Sequence, residues 1–294
     1  MHILLAGTAA GGGFPQWNCR CPYCDLYWKG DARVSRRTQA SIAVSANGSD
    51  WLLVNCTPDI REQILANPQL HPRTGGRDSP VRTVVLSSAE IDCVGGLLSL
   101  RERQPFEILA PPAVLDMLDR NSIFDALDPA LVPHRPLNGA AVPLPGGLTI
   151  EAVPMPGKAP LHAPNARPDG LVIGVRISDR HGRSVCIVPS CAAVDAALLD
   201  AVNDVDLLLF DGTLWSDTEL ADAGVGVKSG RSMGHVPVGG PDGSLAALKS
   251  VRCGRKFYIH INNTNPLLCR GTPERAAVEA AGWTVPDDST EVRL

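Results

Sequence analysis

The segment from residue 81 to residue 101 constrains the fold of this chain more than any other. Residues 81–86 are a short apolar run rich in β-branched side chains, which is typical of a buried strand. A polar turn that ends in two glycines, residues 87–96, follows the run, and residues 97–101 resume a helical pattern. Because a strand–turn–helix unit gathers side chains and helix N-terminal amides at the carboxyl edge of a sheet, we expect the functional site there.

The composition favours a cytosolic protein with one domain over residues 1–294. Hydrophobic residues make up 44% of the chain, enough for a large core, and no apolar run has the length of a membrane span. Residues 1–7 are apolar but lack the basic start of a signal peptide, so we expect them to form a first strand. The net charge of −4 gives no nucleic-acid footprint, and nine cysteines without an export signal indicate thiols and metal rather than disulfides.

Strands and helices are expected to alternate along the whole chain. Asn47-Gly48 predicts a hairpin, and Thr57 and Pro58 are a candidate N-cap and first residue of a helix. The predicted strands are residues 2–7, 39–46, 51–56, 81–86, 107–110, 148–154, 171–177, 185–188, 206–210 and 256–261. The predicted helices are residues 58–66, 95–103, 112–120, 192–202, 243–250 and 273–281. This interleaving favours the α/β class (α+β in some schemes), as a four-layer αβ/βα sandwich rather than a doubly wound sheet.

Three cysteines form the first candidate metal site. Cys19, Cys21 and Cys24 lie within six residues, and three thiolates at this spacing can wrap one tetrahedral Zn²⁺ in a structural role. The alternative is a group of free thiols. A fourth ligand must come from elsewhere in the chain, and His235 and Cys269 are both candidates at this point.

The second candidate metal site starts at Asp92 and Cys93, in the polar turn. Adjacent residues on a turn can both face one ion, although Asp92 could instead cap a helix and Cys93 could be a small buried side chain. Asp211 and His260 each follow an apolar strand, where a carboxylate and an imidazole are poor core material and good ligands. We therefore expect these strand ends to meet at one ion.

Two loops are expected to lie beside this second site. His235 follows a glycine in one of them, and it is either a proton-transfer residue near the substrate or a turn residue. The proline-rich stretch 154–168 looks like a loop over the site, with His162 a weaker functional candidate. Residues 11–13 lack the pattern of a nucleotide-binding loop, so close backbone packing beside the site is the better interpretation.

The polar turn resembles a motif of the metallo-β-lactamase superfamily. In that superfamily the turn has the sequence His-x-His-x-Asp-His-x-Gly-Gly and binds two metals. On this pattern Ser88 and Glu90 take the first two His positions, Asp92 matches the Asp, and Cys93 takes the last His. The spacing of the motif and its two glycines are therefore kept, while most of the metal-binding positions carry other residues.

The chain as a whole resembles the coenzyme PQQ (pyrroloquinoline quinone) biosynthesis protein B family of that superfamily. The resemblance covers nearly the full length and is carried by collinear segments at residues 9–19, 37–43, 58–61, 96–102, 210–214, 224–226 with 233–235, and 260–266. It implies a metallo-β-lactamase fold, a structural Zn²⁺ at the cysteine cluster, and an Fe²⁺- and O₂-dependent hydroxylation of the tyrosine ring of a Glu-Tyr precursor. The expected partner is thus a small peptide or PQQ precursor, with no nucleic acid and no membrane span, and a homodimer is left open.

The resemblance also implies roles for individual residues. The iron ligands would be Asp92, Cys93, Asp211 and His260, with Asp211 either a ligand or an outer-shell acid. The substrate pocket would be lined by the catalytic candidates Glu90, His235 and Asn262.

One departure from the family puts the hydroxylase activity in question. The family carries His where this chain has Cys93, so the family set of two imidazoles and one carboxylate loses an imidazole, and a thiolate would invite oxidation of its own sulfur. We expect weaker iron loading in consequence. Two alternatives stay open: a mononuclear hydrolase, and a non-catalytic carrier of PQQ or its precursor towards the periplasm, which would hold carboxylates with the amides of 11–13 and with Arg61 or Arg101.

Overall fold

The computed structural model describes residues 1–294 and contains fourteen strands and eight α-helices. The strands are β1 (His2–Gly7), β2 (Ser41–Ser45), β3 (Trp51–Val54), β4 (Val81–Val85), β5 (Glu107–Ala110), β6 (His134–Pro136), β7 (Val142–Leu144), β8 (Leu148–Pro154), β9 (Ile173–Asp179), β10 (Ser184–Val188), β11 (Val205–Asp211), β12 (Cys253–Ile259), β13 (Trp283–Thr284) and β14 (Thr290–Arg293). The α-helices are α1 (Pro22–Trp28), α2 (Ile60–Ala66), α3 (Ile91–Val94), α4 (Pro112–Asp119), α5 (Ala196–Val202), α6 (Glu219–Asp222), α7 (Ser244–Ala247) and α8 (Pro273–Ala280). Short 3₁₀ helices lie at Pro68–Leu70, Gly95–Leu100, Ser122–Ala126, Pro145–Gly147, Arg231–Met233 and Pro266–Leu268.

The strands form two seven-stranded mixed sheets. The first has the order β14-β1-β2-β3-β4-β5-β6, and the second has the order β13-β12-β11-β10-β9-β8-β7. In the first sheet β3 to β6 run parallel, and in the second β10 to β13 run parallel, so each sheet has one edge where several carboxyl ends meet. The remaining neighbours are antiparallel.

Alternating side chains place one apolar layer between the sheets and one outside each sheet. Leu5 and Val44 of the first sheet share a buried cluster with Ile187 and Leu209 of the second. The opposite faces pack with helix side chains such as Ile60 in a second cluster. The predicted four-layer αβ/βα sandwich is therefore confirmed. None of the helices has the length and apolar character needed to cross a membrane.

Most predicted elements are present, with shifted ends. The N-cap prediction was wrong: Asp59 occupies the N-cap position of α2, without a capping bond from its side chain, and the hydroxyl of Thr57 accepts a hydrogen bond from the Asp59 amide at 3.3 Å in the preceding turn. The helix predicted over 95–103 is instead a 3₁₀ helix at Gly95–Leu100, directly preceded by α3 in the predicted polar turn. The short strands β6, β7, β13 and β14 were missed because two to four residues carry too little alternation to be recognised.

Candidate active site and thiol cluster

The parallel strands bring the predicted site residues to one edge of the sandwich. Asp211 is the last residue of β11 and pairs with Ile259, the last residue of the parallel neighbour β12, so His260 follows directly beside it. Asp92 lies in α3, after the end of β4. Strand direction thus places Asp211 and His260 side by side, and the packing of the two sheets brings Asp92 of the other sheet to His260.

A cavity of about 380 Å³ opens at this edge. Asp92, His235 and His260 line it, whereas Asp211 lies behind them with a fully buried side chain. Leu161, in the proline-rich loop, and Val172, directly before β9, contribute apolar lining. The predicted position of the proline-rich loop over the site is the one observed.

Asp92 and His260 form the innermost polar contact of the cavity wall. The Asp92 Oδ2 and His260 Nε2 atoms are 3.0 Å apart. Burial opposes charge on both groups, but their hydrogen bond and mutual attraction outweigh it, so the pKa of Asp92 is lowered and the pKa of His260 is raised. Two ligands at right angles, each about 2.1 Å from an ion, lie about 3 Å apart, so the pair fits two adjacent positions around one metal.

Asp211 is an acceptor for a dense set of donors. Its Oδ2 accepts from the Cys191 amide at 2.9 Å and contacts His235 Nδ1 at 2.8 Å. Its Oδ1 accepts from the amide and the hydroxyl of Thr213, at 3.0 and 2.6 Å. Because the Thr213 hydroxyl donates its proton to Asp211, it accepts from His260 Nδ1 at 2.7 Å. Both Nδ1 atoms therefore act as donors, and in His260 the other ring nitrogen, Nε2, faces Asp92.

Cys93 occupies a different part of the wall. Its sulfur lies 3.3 Å from the Ser88 hydroxyl and 3.7 Å from the Ser87 hydroxyl. Burial, followed by the charge of Asp92, raises the pKa of this thiol. The donor atoms that lie within 4.8 Å of one another belong to Asp211, His235 and His260, and Cys93 is outside that group.

Glu90 and Asn262 also line the cavity, each held by a neighbour. Glu90 pairs with Lys158 and accepts from the Leu161 amide at 3.1 Å, which fastens the proline-rich loop over the site. The Asn262 amide donates to Thr264 at 2.6 Å, leaving its oxygen for the cavity. Lys158 was not predicted from the sequence, because only the folded loop brings it to Glu90.

The cations proposed for a carrier lie elsewhere. Arg61 and Arg101 are exposed and do not line the cavity. The lining cations are Lys158 and Lys228, neither of which stands in a recognisable sequence motif.

Glu219 is buried behind Asn262, and its contribution to the stability of the fold around the site depends on pH. It contacts the Trp215 amide and the Thr264 hydroxyl, each at 2.5 Å, and burial raises its pKa to about 7. Because the folded state favours the protonated acid, Glu219 contributes stability that is complete below about pH 4.5 and is lost as the pH rises through about 7.

We expect Glu219→Gln to remove this loss, since an amide of the same shape never ionises. The free energy of unfolding in urea, measured at about pH 5 and about pH 8, should fall less for the variant than for the wild type, by at most about 3 kcal/mol. Glu102→Gln changes an exposed carboxyl and is the matched control, expected to follow the wild type. Equal pH dependence in all three proteins would contradict the prediction.

The cysteine cluster is assembled as predicted. The sulfurs of Cys19, Cys21 and Cys24 lie within 4.8 Å of one another, comparable to the separation of about 3.8 Å in a tetrahedral zinc–thiolate site. The hydrogen bond from Cys21 lowers the pKa of the Cys24 thiol. The donor chemistry and spacing both fit Zn²⁺.

Neither predicted fourth ligand is at the cluster. His235 belongs to the cavity, and the Cys269 thiol faces the Arg270 carbonyl at 3.7 Å. The residue that covers the three sulfurs is Asn263, whose side-chain amide lies 3.2 to 3.5 Å from each of them. Asn263 is more than 230 positions away along the chain, and no local pattern indicates it.

Comparisons with known proteins agree with this architecture. The Beta-lactamase superfamily domain matches residues 50–261. The chain is 46% identical to coenzyme PQQ synthesis protein B of Methylobacterium radiotolerans over 303 residues, covering 100% of both chains, and 46% identical to that of Gluconacetobacter diazotrophicus, covering 99% of both.

Solved structures give the same picture. Zn²⁺-bound PqqB from Methylobacterium extorquens superposes with a TM-score of 0.97 at 44% identity over 100% of both chains. A diphosphatase of the PhnP family shares the fold alone, with a TM-score of 0.70 at 18% identity over 99% of this chain and 96% of that one. The expected metallo-β-lactamase fold is thus confirmed, and the chain belongs to the coenzyme PQQ synthesis protein B family.

Proposed function

We propose that the protein hydroxylates the tyrosine ring of a Glu-Tyr-derived precursor in PQQ biosynthesis, using Fe²⁺ and O₂. The observation that carries this proposal is the pair of donor atoms on Asp92 and His260, 3.0 Å apart on the wall of a cavity of about 380 Å³. A cavity of that volume suits a dipeptide-sized ligand. Membership of the PQQ synthesis family supports a precursor of that cofactor as the substrate.

The donor set favours one ion over two. Ser88 stands where two-metal relatives of the superfamily carry an imidazole, and Met155, in the segment where they carry another, is buried in the core. A two-metal clamp around a nucleophilic hydroxide is therefore not supported, which favours redox chemistry over hydrolysis. Asp92 and His260 would hold the Fe²⁺, which when bound supplies the one-electron chemistry that O₂ requires.

The surrounding residues would orient the metal-binding ring of His260 and the substrate. Thr213 fixes the His260 ring through Nδ1, so its Nε2 stays directed at Asp92. The free oxygen of Asn262 can accept the phenol hydroxyl, and Lys228 is a cation on the lining that suits a substrate carboxylate. The Glu90–Lys158 pair holds the proline-rich loop over the cavity and limits access of water.

The proposed reaction replaces one ring C–H with C–OH. One oxygen atom of O₂ enters the ring and the other leaves as water. Two electrons come from an added reductant such as ascorbate, and two protons come from the medium.

The test is incubation of the Fe²⁺-loaded protein with Glu-Tyr and ascorbate, with and without ¹⁸O₂. We expect a product that carries one ¹⁸O atom in the ring, formed only in the presence of O₂, and none from Glu-Phe oxidised at the same position. Asp92→Asn should abolish the product, because it removes an anionic donor. Cleavage of the peptide bond without O₂ would overturn the proposal in favour of a hydrolase, and tight PQQ binding without turnover would overturn it in favour of a carrier.

A further inference from the structure

We infer that Gln39 and Asn55 bind the tyrosyl residue of the substrate through its main-chain N–H and C=O groups. Gln39 accepts a hydrogen bond from the N–H, and Asn55 donates one to the C=O. The inference rests on the proposed function, because it names the part of a Glu-Tyr-derived peptide that this side of the cavity recognises. It makes the site selective for a peptide over a simple phenol.

The first argument is the orientation of the Asn55 side-chain amide. Its Oδ1 accepts a hydrogen bond from the main-chain amide of Ser87 at 2.9 Å. A main-chain N–H can only donate, so the oxygen must face Ser87 and the Nδ2 group points elsewhere. Asn55 lines the cavity with 3% of its surface exposed, and its Nδ2 makes no hydrogen bond to the protein. A nearly buried NH₂ group on a cavity wall is a donor that a ligand can satisfy.

The second argument is that Gln39 is fixed with the opposite polarity. Its Nε2 donates to a carboxylate oxygen of Asp59 at 3.0 Å, and its main-chain amide donates to the same oxygen at 2.9 Å. An ionised carboxylate can only accept, so Nε2 must face Asp59 and Oε1 is the free atom. Gln39 lines the same cavity and is also buried. The cavity therefore has a free acceptor on Gln39 and a free donor on Asn55.

The third argument is that neighbouring strands carry the two side chains. Strands β2 and β3 are antiparallel neighbours; Gln39 lies shortly before β2, and Asn55 follows β3 directly. The Ser41 hydroxyl donates to the Asn55 carbonyl at 2.8 Å, which ties the two chain segments together beside the cavity. In an extended peptide the N–H and C=O of one residue point to the same side, as they do in antiparallel pairing. One substrate residue can therefore meet both side chains.

The main chain of Asn55 supports a role beyond the fold. Its φ of 65° lies in the left-handed region, which few residues other than glycine adopt and which occurs preferentially at functional sites. Asp tolerates this conformation as Asn does, and its carboxylate could equally accept from Ser87. The NH₂ group is thus the part of Asn55 that the fold does not use, and it is the part available to a ligand.

The chemistry of the two free atoms favours the tyrosyl residue over the glutamyl residue. In Glu-Tyr the glutamyl nitrogen is a charged ammonium, whose burial against a single neutral amide oxygen is unfavourable. The tyrosyl nitrogen is a neutral amide N–H, which suits Gln39. The tyrosyl C=O belongs to the terminal carboxylate, which receives a charge-assisted hydrogen bond from Asn55, and Lys228 supplies a cation on the same lining.

The experiment compares Glu-Tyr with its ester analogue, in which an oxygen atom replaces the N–H of the peptide bond. Calorimetry in the absence of O₂ measures binding of each ligand to the Fe²⁺-loaded protein without turnover. We expect the wild type to bind Glu-Tyr about tenfold more tightly than the ester, the typical cost of leaving one buried hydrogen-bonding group unpaired. Gln39→Met has no acceptor and should bind both ligands alike. Gln104→Met, the matched control away from this cavity, should keep the wild-type preference.

Asn55→Asp tests the donor. The new carboxylate keeps an acceptor for the Ser87 amide, but its second oxygen cannot donate when it is ionised. At about pH 8 we expect this variant to bind both Glu-Tyr and the ester about tenfold more weakly than the wild type does. Unchanged zinc content and an unchanged circular dichroism spectrum show that a variant is folded. If Gln39→Met does not fold, the wild-type preference and Asn55→Asp decide the outcome.

The inference and the proposed function can fail separately. Absence of a preference for Glu-Tyr in the wild type, a preference kept in Gln39→Met, or wild-type affinity in Asn55→Asp would each overturn the inference, whatever the turnover. A preference that depends on Gln39 in a protein that never forms an O₂-dependent product would instead overturn the hydroxylase proposal and leave the substrate contact standing.

Discussion

Replacing Asp211 with Asn is expected to lower both the stability of the fold and the affinity of the active site for metal. The carboxylate accepts hydrogen bonds from the Cys191 amide, the Thr213 amide and hydroxyl, and His235, and its side chain is fully buried. The Asn side chain replaces one carboxylate oxygen, which is an acceptor, with an NH₂ group, which is a donor. That NH₂ group would face the N–H and O–H donors that bind the Asp211 carboxylate. Each donor left unsatisfied in the interior costs about 1–3 kcal/mol, so we expect a loss of roughly 2–4 kcal/mol in the free energy of unfolding.

The same substitution should reduce iron affinity by about 10–100-fold, because Asp211 sets the Nδ1 proton of His235 and, through Thr213, that of His260. Urea unfolding and anaerobic Fe²⁺ titration measure the two effects. Asp200→Asn is the control, since Asp200 is exposed on α5 and its carboxylate makes no hydrogen bond or ion pair, so the free energy of unfolding should change by less than about 0.5 kcal/mol. Equal behaviour of the two variants would refute an outer-shell role for Asp211.

The sequence predicts the strand-end residues of the cavity because one simple rule locates them. Apolar runs that end in Asp211 and before His260 read as parallel strands, and parallel strands deliver their carboxyl ends to one edge. The direction of a strand is a property of the whole fold, so it follows once the family architecture is recognised. The side-chain orientation at that edge does not follow from this rule.

The missed residues share a physical cause. Thr213, Lys158 and Asn263 act through contacts with residues distant in the chain, the last across 239 to 244 positions to the cysteines. Nothing in the local periodicity distinguishes such a residue from any other polar loop residue. Thr213 lies in the family segment 210–214, but no role follows from that, because its hydroxyl becomes informative only when both histidines are seen to share it.

The roles of the two histidines illustrate the same limit. The spacing of His235 between glycines indicates a constrained loop and leaves proton transfer, turn formation and ligation equally compatible with the sequence. The structure adds the direction of each ring, and that direction makes Nε2 rather than Nδ1 the available atom.

We expect Cys24→Ser to abolish zinc binding by the cysteine cluster and to destabilise the cavity wall as well as the cluster. Cys24 is fully buried at the start of α1, and the Cys21 thiol donates to the carbonyl of Asn263 at 3.3 Å, next to cavity residue Asn262. Because folding free energy is coupled to zinc binding, we expect loss of one zinc per chain and of at least about 3 kcal/mol of stability. Elemental analysis and thermal unfolding measure both quantities. Cys253→Ser removes a partly exposed thiol away from the cluster and should keep the zinc, so equal zinc content and melting temperature in the two variants would contradict a structural zinc held by these thiolates.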